Sequence, residues 1–153
     1  MATARPPVRL AVRAVLVEEG RLLLVNAWKG RTHLWCAPGG GVEPHQSLPD
    51  NLIREVREET GLDIAVGAPC LVNEFHDPRG TFHQVDVYFR AQVTPGSPRP
   101  DTWTDPEGIV AHRRWVTPDE YRTLRVKPDS LSDIAWGAPD VAPLYDPLEP
   151  IQR

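Results

Sequence analysis

Three glutamates stand close together near the middle of the chain, at Glu55, Glu58 and Glu59. Glu55 and Glu59 are four apart and Glu58 is three from Glu55, so on a helix all three project to one side. At the C-terminal end of a helix, carboxylates also oppose the macrodipole. Each like-charge pair on an isolated helix costs about 0.2–0.5 kcal/mol, and burial raises that cost sharply. A divalent cation among the three removes the conflict. A hard ion such as Mg²⁺ takes oxygen ligands, usually one or two carboxylates with substrate phosphates and water. Arg54, four before Glu58, can hold that carboxylate in orientation. Just upstream runs Pro38-Gly39-Gly40-Gly41, where backbone can approach a phosphate and present its amides and carbonyls. Taken alone, a string such as Arg-Glu-Val-Arg-Glu-Glu is more often a solvated face laced by i,i+4 pairs. The glycine loop in front of it turns the reading towards metal and phosphate.

The elements that must position these groups are legible around them. Ser47 is the expected N-cap of a helix, with Asp50 three residues later as a variant capping-box partner and Pro49 tolerated in the first turn. Leu48, Leu52, Ile53 and Val56 recur at helical spacing as a buried stripe, and Gly61 supplies a left-handed stop. Glu59 projects into the arc that holds Leu48 and Val56.

Upstream, residues 8–17 alternate as a strand, with Val8, Leu10, Val12, Ala14 and Leu16 on one face and Arg9 and Arg13 on the other. The two arginines are open to two roles, a solvated face or contact with phosphate or base. Glu18-Glu19-Gly20 turns the chain into a second strand, 21–26. The polar stretch 27–33 carries Trp28, Lys29 and Arg31, which either clamp a nucleobase and its phosphates or half-cover a core edge. A short strand, 34–37, delivers the chain to the glycine loop.

Downstream, 62–75 reads as a strand, a bend at Gly67 and Pro69, and another strand. Asp77-Pro78-Arg79-Gly80 is a turn, and 83–93 alternates most cleanly, Val85, Val87, Phe89, Ala91 and Val93 against Gln84, Asp86, Tyr88, Arg90 and Gln92. A long Pro/Gly-rich loop, 94–108, holds Trp103, Asp105 and Glu107. A strand over 109–116 includes His112, which is open to a general-base role or an ordinary one. Thr117-Pro118-Asp119-Glu120 is a capping box opening a second helix through Leu124, and 130–136 adds a short helical turn. From about 137 a proline-rich tail is expected to run extended over the domain or over a partner subunit.

The segment 40–62 resembles the Nudix box, whose pattern is Gly, five residues, Glu, seven residues, then Arg-Glu-aliphatic-any-Glu-Glu-any-Gly-aliphatic. Gly40 is the box glycine, and Arg54, Glu55, Val56, Arg57, Glu58, Glu59, Thr60, Gly61 and Leu62 form its core. One position departs, since Gln46 stands where the first Glu is expected. An amide can accept a hydrogen bond but carries no charge and cannot act as a base; nearby Glu43 could compensate.

The resemblance implies the α/β class, an α/β/α sandwich with a mixed β-sheet, spanning 1–153 as a single domain. It implies a Mg²⁺- or Mn²⁺-dependent hydrolase that cleaves the pyrophosphate bond of a nucleoside diphosphate linked to another moiety, such as ADP-ribose, a nucleotide sugar, a dinucleoside polyphosphate or a nucleoside triphosphate. Carried over by position, Glu55, Glu58, Glu59 and the carbonyl of Gly39 are the metal ligands. Arg54, Glu55 and Glu58 are the catalytic set. Gly40, Arg9, Arg13 and Trp28 are candidates for substrate contact. Glu107, with Asp105 behind it, is the candidate loop base, a role it shares with that of a plain solvated acid. Two other readings stay open: a Nudix-fold module that senses a nucleotide without cleaving it, and an isomerase acting on an isoprenoid diphosphate. A homodimer is also compatible with the family.

Composition bounds these readings. The chain has 153 residues, enough for one domain with a sizeable core. Its formal charge of −4 argues against a nucleic-acid polymer as partner but not against a small anionic nucleotide held by a metal. Two cysteines, Cys36 and Cys70, give no disulfide framework, and Cys36 reads as a buried thiol. With no apolar leader and no stretch long enough to span a bilayer, no membrane role and a cytoplasmic location are expected.

Overall fold

The structure is a computed structural model that describes residues 4–26, 33–101 and 112–151. Its strands are β1 (Arg9–Glu18), β2 (Arg21–Val25), β3 (Leu34–Trp35), β4 (Gly39–Gly41), β5 (Ile64–His76), β6 (His83–Val93), β7 (Arg113–Val116), β8 (Arg125–Val126), β9 (Leu144–Tyr145) and β10 (Glu149–Pro150). Its helices are α1 (Leu48–Thr60), α2 (Pro118–Tyr121) and α3 (Leu131–Trp136). The main sheet runs β10-β5-β6-β1-β2-β7, with β4 also on β1 and β9 also on β5. It is mixed: β1 lies parallel to β6, while β1–β2, β1–β4, β2–β7 and β5–β6 are antiparallel.

The arrangement around β1 positions the site. One edge of β1 is taken by β6 from Arg9 to Leu16. The other edge forks: β4 pairs with Ala11–Arg13 and β2 with Val17–Glu18. Between the two, the Ala14 N–H donates to the Pro38 carbonyl at 2.8 Å. The glycine strand is thereby wedged against the middle of the sheet rather than left as a loop at its margin.

Both faces of the sheet are covered. On one, Val12, Ala14, Leu16, Leu23, Phe89 and Ala91 pack against Leu52 and Val56 of α1. On the other, Val15, Leu22, Leu24, Leu71 and Tyr88 pack against Leu131, Ile134 and Ala135 of α3. This is the α/β/α sandwich. The polar set of β6 is itself covered, with Gln84, Asp86 and Tyr88 buried.

Helix α1 starts and stops where its sequence says. The Ser47 hydroxyl accepts the Asp50 N–H at 3.1 Å, and Gly61 closes the helix at φ 74°. Two expectations change. The stretch around Gly67 and Pro69 does not divide 62–75 into two strands; it shifts the β5–β6 register twice within one strand. The helix opened by Thr117 ends at Tyr121, because Thr123 and Leu124 bond back three residues, to Glu120 and Tyr121, in tighter turns. The tail does lie on this chain: β9 and β10 pair with β5, and Asp146 and Ile151 donate to the Val72 and His76 carbonyls at 2.8 and 2.9 Å. Among the described residues no helix is long and apolar enough to cross a membrane.

Candidate active site

Helix α1 buries two parallel rows, each stepping by four residues. Leu52, Val56 and Thr60 form one; Asn51, Glu55 and Glu59 form the other. The polar row lies along the glycine strand. Glu59, 7% exposed, accepts the Gly39 N–H on Oε2 at 2.9 Å. Glu55, 8% exposed, lies against Gly40: a Cβ on that glycine would sit 2.3 Å from Glu55 Oε2. A Cβ on Gly39 would meet the Val12 carbonyl oxygen at 1.9 Å. The glycines are there because strand β4 is pressed between β1 and two carboxylates, with no room for a side chain.

Arg54 links the acids. Its Nη1 donates to Glu55 Oε1 at 2.8 Å and lies 3.6 Å from Glu58 and 3.9 Å from Glu43. Burial opposes the charge on this guanidinium, but the hydrogen bond and charge of Glu55, helped by Glu43 and Glu58, outweigh it and raise its pKa above the ordinary arginine value. Arg54 therefore holds Glu55 more closely than Glu58, the glutamate four residues on. Glu58 keeps 31% of its side chain exposed and is the most accessible of the three box acids. The carboxylates gather along one helix face, yet among the described residues no three acidic, histidine or cysteine side chains converge into a ready-made metal cage.

The two arginines of β1 part company. Arg9 is exposed and reaches the glycine strand, where a Cβ on Gly41 would lie 2.9 Å from its Nη2. Arg13, paired through its backbone with Gly39, instead has its side chain buried, on the face of the sheet away from α1. There its Nε meets Asp86 Oδ2 at 3.3 Å and its Nη1 donates to the Ala37 carbonyl at 3.2 Å. Burial works against this cation, but Asp86 foremost among its neighbours raises its pKa beyond the usual arginine range. Asp86 also accepts from Gln84 Nε2 at 2.7 Å.

This ion pair floors a cavity of about 60 Å³ whose walls include Asn73, Tyr88, Lys127 and, from the tail, Ile151. Asn73 is 3% exposed and its Nδ2 has no hydrogen-bond partner among the described residues. Asn51, Asn73 and Asp86 were not singled out from the sequence. Their signal was weak: Asn73 faces Asp86 in register across β5 and β6, which the chain order alone does not reveal. Trp28 and Glu107, with Trp103 and Asp105, lie outside the described residues.

A NUDIX domain model matches residues 7–136, from before β1 to the end of α3. The chain belongs to the Nudix family. By that membership it is a Nudix pyrophosphohydrolase, of a family acting on nucleoside diphosphate-linked substrates. This Nudix chain is 40% identical over 141 residues to the CTP pyrophosphohydrolase of Escherichia coli (strain K12), covering 91% of itself and 82% of that protein. It is 31% identical over 129 residues to the putative 8-oxo-dGTP diphosphatase of Bacillus subtilis (strain 168), covering 83% and 79%. A crystal structure of a UDP-X diphosphatase shares the Nudix fold at a TM-score of 0.65 and 20% identity, over 88% of this chain and 64% of that one.

Proposed function

We propose that this Nudix hydrolase cleaves the pyrophosphate bond of a nucleoside triphosphate, with Mg²⁺ or Mn²⁺ as its cofactor. The observation that carries the reading is the pair of buried carboxylates, Glu55 and Glu59, set against glycines too crowded to bear a side chain. Acids buried at this depth on one helix face call for positive charge, and Arg54 supplies a guanidinium to Glu55, with the less buried Glu58 and Glu43 also in reach. The donors are all oxygen, which fits a hard dication by type. Glu55, Glu58, Glu59 and the Gly39 carbonyl would hold it. When bound, such an ion neutralises the diphosphate and lowers the pKa of water.

The remaining work belongs to the chain's own groups. Arg54 fixes the direction of Glu55. Gly40 and the guanidinium of Arg9 are the candidates for contact with the phosphates. Water adds to one phosphorus, the bridging P–O bond breaks towards the departing phosphate, and the proton of the water passes to Glu55, Glu58 or a loop acid such as Glu107. The barrier for this displacement is mostly charge and positioning, which suits a site built from fixed charges. The cavity over Arg13, Asn73 and Asp86 offers hydrogen-bonding groups for the edge of a base, with Trp28 a further candidate for contact. A triphosphate is favoured among the diphosphate-linked compounds because the two relatives above, which this chain largely spans, are named for CTP and 8-oxo-dGTP.

The test is a panel of CTP, 8-oxo-dGTP, ADP-ribose, a nucleotide sugar and a dinucleoside polyphosphate, each with Mg²⁺ and Mn²⁺, reading released mononucleotide by chromatography. Turnover of a triphosphate that stops on chelation is expected. Binding by calorimetry without product would point to a nucleotide-sensing module instead, and turnover indifferent to chelation would remove the metal.

A further inference from the structure

Asn51 is fully buried in the first turns of α1, at 0% exposure, in the same row as Glu55 and Glu59. Its amide is used at both ends. Nδ2 donates to the backbone carbonyls of Glu43, Gln46 and Ser47 at 3.3, 3.2 and 2.9 Å, tying down the loop before the helix. Oδ1 accepts the Glu43 N–H at 2.8 Å and Arg54 Nη2 at 2.7 Å. The second nitrogen of that guanidinium, Nη1, is the one that holds Glu55. A continuous line of hydrogen bonds therefore runs from the loop through Asn51 and Arg54 to a carboxylate at the glycine strand.

The box pattern places a glutamate at 46, and this chain has an exposed glutamine there. The bond that Gln46 makes to Asn51 comes from its backbone carbonyl, so it takes part as loop backbone. We propose that Asn51 is a positioning residue for the hydrolysis: its Oδ1 fixes Arg54 so that the guanidinium keeps Glu55 turned towards the glycine strand. Without that acceptor, one fork of the guanidinium loses its fixed point and the direction of Glu55 is no longer set. This inference rests on the functional reading above.

Asn51→Asp and Asn51→Ala separate the two ends of the amide. Both remove the donor that staples the loop; only Asn51→Asp keeps an acceptor for Arg54. Three quantities are read for each: thermal stability, kcat and KM on the best triphosphate of the panel, and Mn²⁺ affinity without nucleotide from the free-Mn²⁺ resonance. In Asn51→Ala, kcat should fall by about one to two orders of magnitude with KM little changed, since small misplacements at a reacting centre cost that much. Its Mn²⁺ affinity should fall severalfold. Asn51→Asp should lose a similar amount of thermal stability yet keep kcat and Mn²⁺ affinity near wild type. Equal losses of activity in both variants, tracking their melting temperatures, would overturn the inference and leave Asn51 a loop staple. So would an Asn51→Ala variant with wild-type kcat and Mn²⁺ affinity. A wild-type protein that cleaves nothing in the panel overturns the functional reading itself, and this inference with it; an active wild type confines any failure to Asn51.

Discussion

Arg13 and Asp86 form an ion pair inside the sheet, with 13% and 4% of their side-chain surface exposed. Neither charge is stable there without the other. Removing one partner of such a pair leaves an uncompensated ion, at about 3–5 kcal/mol. Asp86→Ala should therefore cost about that much in urea or guanidinium unfolding; a loss under about 1 kcal/mol, the level of an exposed pair, would mean that the guanidinium finds water. The glutamates were legible from sequence, because three like charges crowded on one helix face conflict unless something offsets them. The ion pair was not. Alternation along β6 separates polar from apolar residues correctly, but it does not say which face is wet, and here α3, the 127–128 turn and the tail cover the polar one. Asn51 was hidden for a related reason: an asparagine in an early helical turn looks like local capping until its long-range role is seen.

Among the elements, α2 is the clearest case of local sequence deciding structure. Thr117 and Glu120 exchange the capping-box bonds at 3.2 Å each, and Arg114 pairs with Glu120 at 3.1 Å. The hydrogen bond from the Thr117 backbone, then that from its side chain, then Arg114, lower the pKa of Glu120 below the ordinary carboxylate value. The fold thus favours the charged form. Its contribution is complete above the unfolded carboxylate pKa of about 4.3 and is lost as pH falls through the lower folded value. Glu120→Gln keeps a hydrogen-bonding side chain without the charge. Its melting temperature should lie below that of wild type at neutral pH, and the gap should close in the acid range below about pH 4. A gap that is constant with pH would show that charge plays no part in the cap. The capping residues predicted the start of this helix but not its length, because its end depends on bonds to Glu120 and Tyr121 that only the folded turn creates.

For the whole molecule, the fork on β1 is what brings the parts together. It sets the glycine strand between the sheet and α1, and it puts Arg13 on one side of Gly39 and Glu59 on the other. The box residues named the centre of this arrangement, and the order of elements gave the layers. The strand order did not follow from the chain, because β1 meets β6 across most of the sequence between them and the tail returns to pair with β5. The central claim is that the charge of the buried acids, rather than their shape, drives hydrolysis. Glu59→Gln tests it most directly, since an amide oxygen can still accept the Gly39 N–H while the charge is gone. The measurement is kcat on the best triphosphate of the panel at saturating Mg²⁺, with melting temperature as the control. The account predicts a fall of about two orders of magnitude or more with the fold retained, the scale of losing a key electrostatic group. A folded Glu59→Gln protein that turns over at the wild-type rate would contradict it.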